Sequence, residues 1–382
     1  MFRNNRQSTG FMRIRPDKYN FVGLGVNDPS KRETELWMIL EQYSEIKEVR
    51  KKFIKNLGIK NSNKAEKVSK NFQSFVRQAK NYYFAAKKLP NSSSALLYYY
   101  SFLNLIKALL ILHYSDKISG KISHGLQAKD KRGNNFKDEH VLFRDGVFKL
   151  LYEHETGEKI KDKTSFSIST LLGYCNDISY QYSIGGFGES LNARGLMILF
   201  IDKNRNKAWG TLALYNFESI EKCKKRVAKF KENYEEISMD KSVARECFNL
   251  MGAEMHSFRF FEGKEYTVAL PDGTSEFQII NEIKECTKGF LIPNLYDDKN
   301  IDFNLASPYK QSNQILMNEF LSIYAVMFYL SSLVRYQPYY LDKILDKKES
   351  WLINSFIESC PQTFLLYAVS KITRQNYSLT QR

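Results

Sequence analysis

Five histidines are the side chains of this chain best suited to moving a proton near neutral pH. They are His113, His124, His140, His154 and His256. None belongs to an HxH, HxxxH or HExxH pattern, which would place metal ligands on one strand or helix face. The GxSxG and GxxxxGK[ST] patterns are missing too. Any catalytic group must therefore be assembled by the fold, and we expect neither a metal nor a cofactor.

Two tyrosine-rich segments offer such an assembly. An apolar helix predicted over 95–114 is followed by His124, and a second, over 317–335, ends at Arg335, with Tyr340 shortly after it. An arginine can neutralise the charge of a phosphate, and a histidine can move a proton near neutral pH. Because two nearly all-apolar helices should cover each other, we predict a composite catalytic site of His124, Arg335 and Tyr340. A salt bridge at the C-cap of the helix is the alternative for Arg335.

Basic residues exceed acidic ones, 57 Lys and Arg against 42 Asp and Glu, giving a formal net charge of +15. Many lie between residues 45 and 91 and in a charged helix predicted over 218–235. One interpretation is a surface that contacts the phosphate backbone of nucleic acid, and the other is a solvated, lysine-rich surface. The candidate nucleic-acid contacts are Lys51, Lys52, Lys55, Lys222, Arg226 and Lys229.

Apolar spacing predicts the helices that would position these residues. The predicted helices cover 34–57, 64–89, 95–114, 317–335, 346–359 and 362–372. The helix over 95–114 is apolar nearly all round, as expected of a helix in the middle of a bundle. Its polar side chains at every third position form a narrow structural stripe of Ser101, Asn104 and Lys107.

The middle of the chain has strand and turn patterns instead. Apolar runs at 195–201 and 208–215 flank a polar turn, and Asp145-Gly146 predicts the turn of a short hairpin. We therefore predict a predominantly α-helical α+β fold, in which helices from both ends of the chain form one bundle around an inserted α+β region. The predicted parts are an extended arm at 1–33, the first bundle half at 34–126, the insertion with short antiparallel strands at 127–302, and the completing helices at 303–382.

Composition excludes several classes of protein. With 43% hydrophobic residues, 19 Gly and 8 Pro, the chain is neither disordered nor collagen-like. Its five cysteines are scattered without a CxxC pair, so neither a disulfide framework nor a zinc knuckle is indicated. The longest uncharged apolar run, 320–334, is shorter than the roughly 20 residues that span a bilayer. We expect a cytoplasmic protein without a membrane partner.

The two tyrosine-rich segments also have a family resemblance. YYYSFLNLIKALL with the later SHGL, and LSSLVRYQPYYL near the C-terminus, resemble the YaaC-like family of bacterial proteins. The order of helices, a strand-containing middle and the LSxLxRYxPxY segment agrees with that family over roughly residues 35–375. This resemblance implies an architecture rather than a reaction.

The first segment is in addition similar to the HEPN superfamily. Its residues 99–102 and 108–110 match the helix of that superfamily, and 124–126 match the following turn. The resemblance implies a helical bundle that binds or cleaves RNA, often in stress or antiviral defence. HEPN ribonucleases place a histidine five to seven residues after an arginine. No histidine here has that spacing, and the nearest analogue is Arg335 with Tyr340.

Three functions remain open at this point. The leading hypothesis is a HEPN-like protein that binds nucleic acid, RNA in preference to DNA. The second is a metal-independent ribonuclease or toxin that uses His124, Arg335 and Tyr340. The third is a non-enzymatic scaffold or regulatory module whose aromatic surface meets a protein partner or a second copy of the chain.

Overall fold

The computed structural model divides the chain into two compact units. The helical unit contains residues 28–190 and 319–375, and the sheet unit contains 1–27, 191–318 and 376–382. Within these units the structure describes residues 11–13, 21–24, 28–45, 51, 62–118, 120, 122–129, 136–188, 190–191, 193–202, 207–215, 217, 231–232, 234–238, 258–267, 291–294, 301–305, 317–347 and 349–379.

The helical unit contains helices from both ends of the chain, together with a small antiparallel sheet. Its helices are α1 (Arg32–Tyr43), α2 (Ser62–Ala86), α3 (Asn91–Ile111), α4 (Ser115–Ile118), α5 (Val147–Thr156), α6 (Ile168–Leu172), α7 (Ser179–Ile184), α8 (Glu319–Tyr336), α9 (Pro338–Leu345) and α10 (Ser350–Thr373). Its sheet has the order β3 (Leu126–Lys129), β4 (His140–Phe143) and β5 (Ser165–Ser167). The predominantly helical α+β class is therefore confirmed.

Helix α3 lies at the centre of this unit and packs against α2, α8 and α10. The ring of Phe102 on α3 stacks on Phe364 of α10 at 3.9 Å, and Phe364 also stacks on Phe320 of α8 at 4.5 Å. Among the described residues α3 is the one helix long and apolar enough to cross a membrane, and 72% of that span is buried inside the unit. The bundle thus uses the apolar faces of both chain ends as cover for α3.

The sheet unit has an eight-stranded antiparallel sheet and a separate parallel strand pair. The main sheet runs in the order β11-β12-β6-β7-β9-β8, with β1 also paired to β6 and β10 to β7. Its strands are β1 (Phe11–Arg13), β6 (Ala193–Asp202), β7 (Lys207–Tyr215), β8 (Tyr234–Ile237), β9 (Phe258–Gly263), β10 (Tyr266–Thr267), β11 (Leu291–Asn294) and β12 (Ile301–Leu305). The parallel pair consists of β2 (Phe21–Leu24) and β13 (Asn376–Leu379).

The structure agrees with one of the local predictions and differs from several others. The predicted strand pair over 195–201 and 208–215 is present as β6 and β7. The predicted hairpin at Asp145-Gly146 is wrong, because α5 begins directly after Gly146. The helices predicted over 346–359 and 362–372 are one helix, α10, with Pro361 inside it. Residues 127–190, which we assigned to the insertion, lie in the helical unit, and β1 and β2 lie within the predicted N-terminal arm.

Candidate functional site: a cavity lined by His124 and Arg335

The segment that contains His124 is held by the first turn of α5. The Val147 N–H donates to the Ser123 carbonyl at 2.9 Å, and the Phe148 N–H donates to the His124 carbonyl at 3.1 Å. These amides begin a helix and have no partner within it, so the segment provides the acceptors that they need. The Ser123 hydroxyl adds a bond to the Asp145 carbonyl at 2.7 Å. The backbone of His124 is therefore fixed on both sides.

Gly146 allows this close approach. Its φ is +144°, in a region that L side chains rarely adopt, and ψ is −157°. A Cβ at this position would lie 2.5 Å from the Ser123 carbonyl oxygen and 2.7 Å from the Gly125 nitrogen. Only glycine fits here without moving the segment. The dipeptide Asp145-Gly146 was therefore a correct signal of special backbone, although the element that follows is a helix.

The imidazole of His124 is arranged as a hydrogen-bond donor. Its Nδ1 accepts the backbone N–H of Leu126 at 3.1 Å, so the proton of the neutral ring lies on Nε2. Burial lowers the pKa of His124, and the positive charges of Arg335 and Lys107 lower it further. At neutral pH the ring is therefore uncharged and donates through Nε2–H.

Arg335 occupies the last turn of α8. Its Nε donates to the Ser331 carbonyl at 3.2 Å, within the last turn of the helix. Its guanidinium carbon lies 5.0 Å from the ring centroid of Tyr336 and 5.9 Å from that of Tyr99. Within the described part of the chain, no carboxylate forms an ion pair with Arg335. Its remaining N–H groups are available to an anion.

A cluster of aromatic rings supports both groups. The Tyr99 ring lies 6.4 Å from the His124 ring and 5.8 Å from the Tyr324 ring, and Phe328 lies 5.1 Å from His124. Burial raises the pKa of Tyr99 and of Tyr324 far above neutrality. Their hydroxyls are therefore protonated under ordinary conditions and do not act as bases.

His124 and Arg335 line one cavity of about 300 Å³ beside β3 and the C-terminal half of α8. Phe328, Leu333 and Tyr336 contribute apolar and aromatic wall. The other polar lining groups are Gln127, Glu139, Ser332 and Gln337. A mixture of apolar wall and a few convergent polar groups is typical of a site for a small ligand or for part of a larger one.

Tyr340, the third residue of the predicted composite site, lies on α9 and is not among the residues that line this cavity. Its backbone N–H donates to the Gln337 carbonyl at 3.0 Å in the first turn of α9. The structure thus brings two of the three predicted residues together. Pro338, which starts α9, directs the chain away between Arg335 and Tyr340.

The predicted polar stripe of α3 makes mostly internal contacts. The Ser101 hydroxyl donates to the Ala79 carbonyl of α2 at 2.8 Å, and the Asn104 amide donates to the Tyr100 carbonyl at 2.8 Å. Lys107 is half-buried, with its Nζ 5.8 Å from the Phe75 ring centroid, and burial lowers its pKa. Its charge acts on His124, which places it near the cavity.

Most of the residues predicted to contact a nucleic-acid backbone lie outside the described residues. Lys51 is described and exposed. The other five candidates, Lys52, Lys55, Lys222, Arg226 and Lys229, lie outside the described residues.

Glu139 and Gln127 are the cavity residues that sequence reasoning missed. Glu139 comes near the cavity only because its neighbour His140 pairs with Lys129 across β3 and β4. A pairing of that kind leaves no local sequence signal, whereas the tyrosines after Arg335 were visible in the YQPYY pattern. Over the described ranges, no group of three or more His, Cys, Asp or Glu residues is arranged to hold a metal ion.

Comparison with known proteins gives one family. Neither a curated protein nor a solved structure matches the chain significantly, so the HEPN-like part of the resemblance stays a prediction. The family model described as YaaC-like Protein matches residues 39–372, which include α2, α3, the His124 segment and α8. The chain therefore belongs to the YaaC-like protein family.

Proposed function

We propose that this protein binds single-stranded nucleic acid, RNA in preference to DNA, and holds it without cleaving it. The proposal rests on one observation: His124 and Arg335 line a single cavity, and both are hydrogen-bond donors. Among the described residues, Arg335 has no acidic partner. A phosphate accepts hydrogen bonds from donors of this kind, and charge on either group strengthens the bond.

Two exposed tyrosines, Tyr336 in the cavity wall and Tyr339 three residues later, support the same function. Tyr336 is 73% exposed and Tyr339 is 71% exposed, which is unusual for such large rings. The Arg335 guanidinium lies beside Tyr336, and Lys343 Nζ lies 4.5 Å from the Tyr339 centroid. Aromatic faces with adjacent cations are the platforms on which single-stranded bases stack. The net charge of +15 favours the same ligand.

We favour binding over cleavage because none of the three predicted catalytic residues, His124, Arg335 and Tyr340, is placed to act as a base in the cavity. Nδ1 of His124 is occupied by the Leu126 N–H, and Nε2 carries the proton. Tyr340 does not line the cavity, and the buried Tyr99 stays protonated. The ribonuclease hypothesis is therefore the second outcome of the test below. A place in stress or antiviral defence depends on the HEPN resemblance, and cytoplasmic localisation is likewise part of the proposal.

A protein partner is the second candidate function, and one surface favours it. Tyr180 is 65% exposed and Trp351 is 47% exposed, and their rings meet at 6.0 Å. Ile184 on α7 is 53% exposed as well. Exposed rings of this size are enriched at protein interfaces. This surface lies on α7 and α10 and does not line the cavity, so both functions can coexist.

The test uses the full chain and a labelled single-stranded RNA at about 50 and about 200 mM salt, where backbone contacts lose much of their affinity. We expect salt-sensitive binding, intact RNA, and about tenfold or greater weakening in R335Q, since it removes charged hydrogen bonds. Arg77 on α2 is exposed, so R77Q removes the same charge elsewhere and is the control. Equal weakening in both variants would contradict a role for the cavity. If the wild-type chain cleaves the RNA and R335Q does not, the ribonuclease function replaces the proposed binding function.

A further inference from the structure

The cavity differs chemically at the two ends of β3. His124 lies two residues before this strand, and Glu139 lies directly before β4, whose His140 pairs with Lys129 at the far end of β3. The donor His124 and the acceptor Glu139 therefore line opposite ends of one cavity.

Glu139 is held firmly at its end. Glu139 lines the cavity, and the residue is 3% exposed. Its backbone N–H donates to the Phe136 carbonyl at 3.3 Å, and its carbonyl accepts the Ile168 N–H at 2.7 Å. Among the described residues that line the cavity, it is the one acidic residue. A carboxylate has about four acceptor positions, so it accepts a ligand hydroxyl even while it is bonded within the protein.

A ligand that satisfies both ends must present an anion and a hydroxyl donor. The cavity, about 300 Å³, is at the lower limit for ligand sites and suits about one nucleotide unit. A ribonucleotide presents a phosphate to Arg335 and His124, and its 2′-hydroxyl is a donor that DNA lacks. An inorganic phosphate would leave Glu139 without a ligand contact.

We propose that Glu139 accepts a hydrogen bond from a ribose 2′-hydroxyl of the nucleotide in the His124–Arg335 cavity and so selects RNA over DNA. This inference rests on the proposed binding of nucleic acid at the same cavity. It adds the residue that would read the sugar, whereas Arg335 and His124 would contact only the phosphate.

The experiment varies the ligand before the protein. The wild-type chain is titrated with RNA, DNA and 2′-O-methyl RNA of one sequence, at one salt concentration. We expect RNA to bind about tenfold more tightly than DNA, because one hydrogen bond to a charged group is worth about that factor. The 2′-O-methyl strand, which lacks the donor, should bind like DNA.

The variant E139Q should reduce the preference for RNA, measured as the ratio of the RNA and DNA affinities, to about twofold or less, since a neutral amide is a weaker acceptor. Glu158, an exposed acid of the same unit, provides the control E158Q, which should keep the full preference. If thermal unfolding shows that E139Q is not folded, E139D replaces it. The E139D variant withdraws the carboxylate by one methylene, and the same result is expected.

The outcomes separate the two proposals. Salt-sensitive binding with equal affinity for RNA and DNA would overturn the role of Glu139 and leave nucleic-acid binding standing. A preference for RNA that persists in the folded Glu139 variant would overturn it too. No binding of any strand at about 50 mM salt would overturn the proposed function itself.

Discussion

The hydrogen bonds between the His124 segment and α5 depend on the lack of a side chain at Gly146. We predict that G146A lowers the free energy of unfolding by about 3 kcal/mol, because a Cβ would meet the Ser123 carbonyl in a backbone region that only glycine adopts easily. Denaturant unfolding measures this loss. Nucleic-acid binding should weaken as well, since His124 would be displaced from the cavity.

Gly157, at the C-terminus of the same helix, is the matched control. Its φ is +69°, but a Cβ there would have nothing within 4 Å. G157A should therefore cost only about 1 kcal/mol, the strain of a left-handed alanine. Equal losses in the two variants would show that backbone conformation alone, and not the contact with Ser123, explains the requirement for glycine at 146.

Residue types indicated the site only in part. His124 and Arg335 were identifiable because an arginine and a histidine each adjoin an apolar helix, and such helices must cover each other. The role of His124 was not identifiable, since it depends on the Leu126 N–H that occupies Nδ1. Glu139 left no signal, because the β3–β4 pairing that brings it to the cavity joins residues that are distant along the chain.

At the scale of elements, the contact between α3, α8 and α10 is concentrated at Phe364. Its ring stacks on Phe102 and on Phe320, and it is fully buried. We predict that F364A lowers the free energy of unfolding by about 3 to 5 kcal/mol, as is usual for a large ring removed from a core. F364L should cost less, because it leaves a smaller cavity. Thermal unfolding of both variants measures the difference, and similar midpoints would contradict the assignment.

Helix α10 shows where local rules are insufficient. Proline lacks an N–H and clashes with the preceding turn, so the sequence predicted a break near Pro361. The helix instead continues from Ser350 to Thr373, with Phe356 before the proline and Phe364 after it both buried. Burial of both halves in one core outweighs the lost hydrogen bond. By contrast, α2, α3 and α8 follow their apolar spacing closely, because nothing in their sequences opposes it.

At the scale of the whole molecule, two buried groups act on stability in opposite directions. Burial, with the nearby charges of His154 and Arg374, lowers the pKa of His113 to about 4. Burial and the charge of Asp177 raise the pKa of Glu319, which accepts hydrogen bonds from Asn176 and Tyr367.

As pH falls from about 6.5 to about 4, the unfolded chain binds a proton that the half-buried His113 does not bind, so the contribution of His113 to the free energy of unfolding falls. As pH rises above the ordinary Glu319 value of 4.5, the unfolded chain releases a proton that the folded chain retains, so the contribution of Glu319 falls. The two contributions oppose each other between about pH 4.5 and 6.5, so the free energy of unfolding should be nearly level there and fall on either side. After allowance for solvent at His113, its contribution is about 1 kcal/mol or more.

The check is denaturant unfolding from pH 4 to 9. H113Q should flatten the acidic side of the profile and leave the alkaline side as in the wild type. E319Q, which stays neutral, should flatten the alkaline side. Profiles with unchanged slopes in both variants would contradict the assignment.

The position of α3 has a consequence for biosynthesis. More than 200 residues separate its end, Ile111, from the beginning of α8 at Glu319, which covers it. At a synthesis rate of about 5 to 20 residues per second, the ribosome needs about 10 to 40 s to make that stretch. During this interval the long apolar helix α3 lacks α8 and α10 as cover. We therefore expect the nascent chain to need a chaperone that shields α3, and the helical unit to close only when α10 has been synthesised.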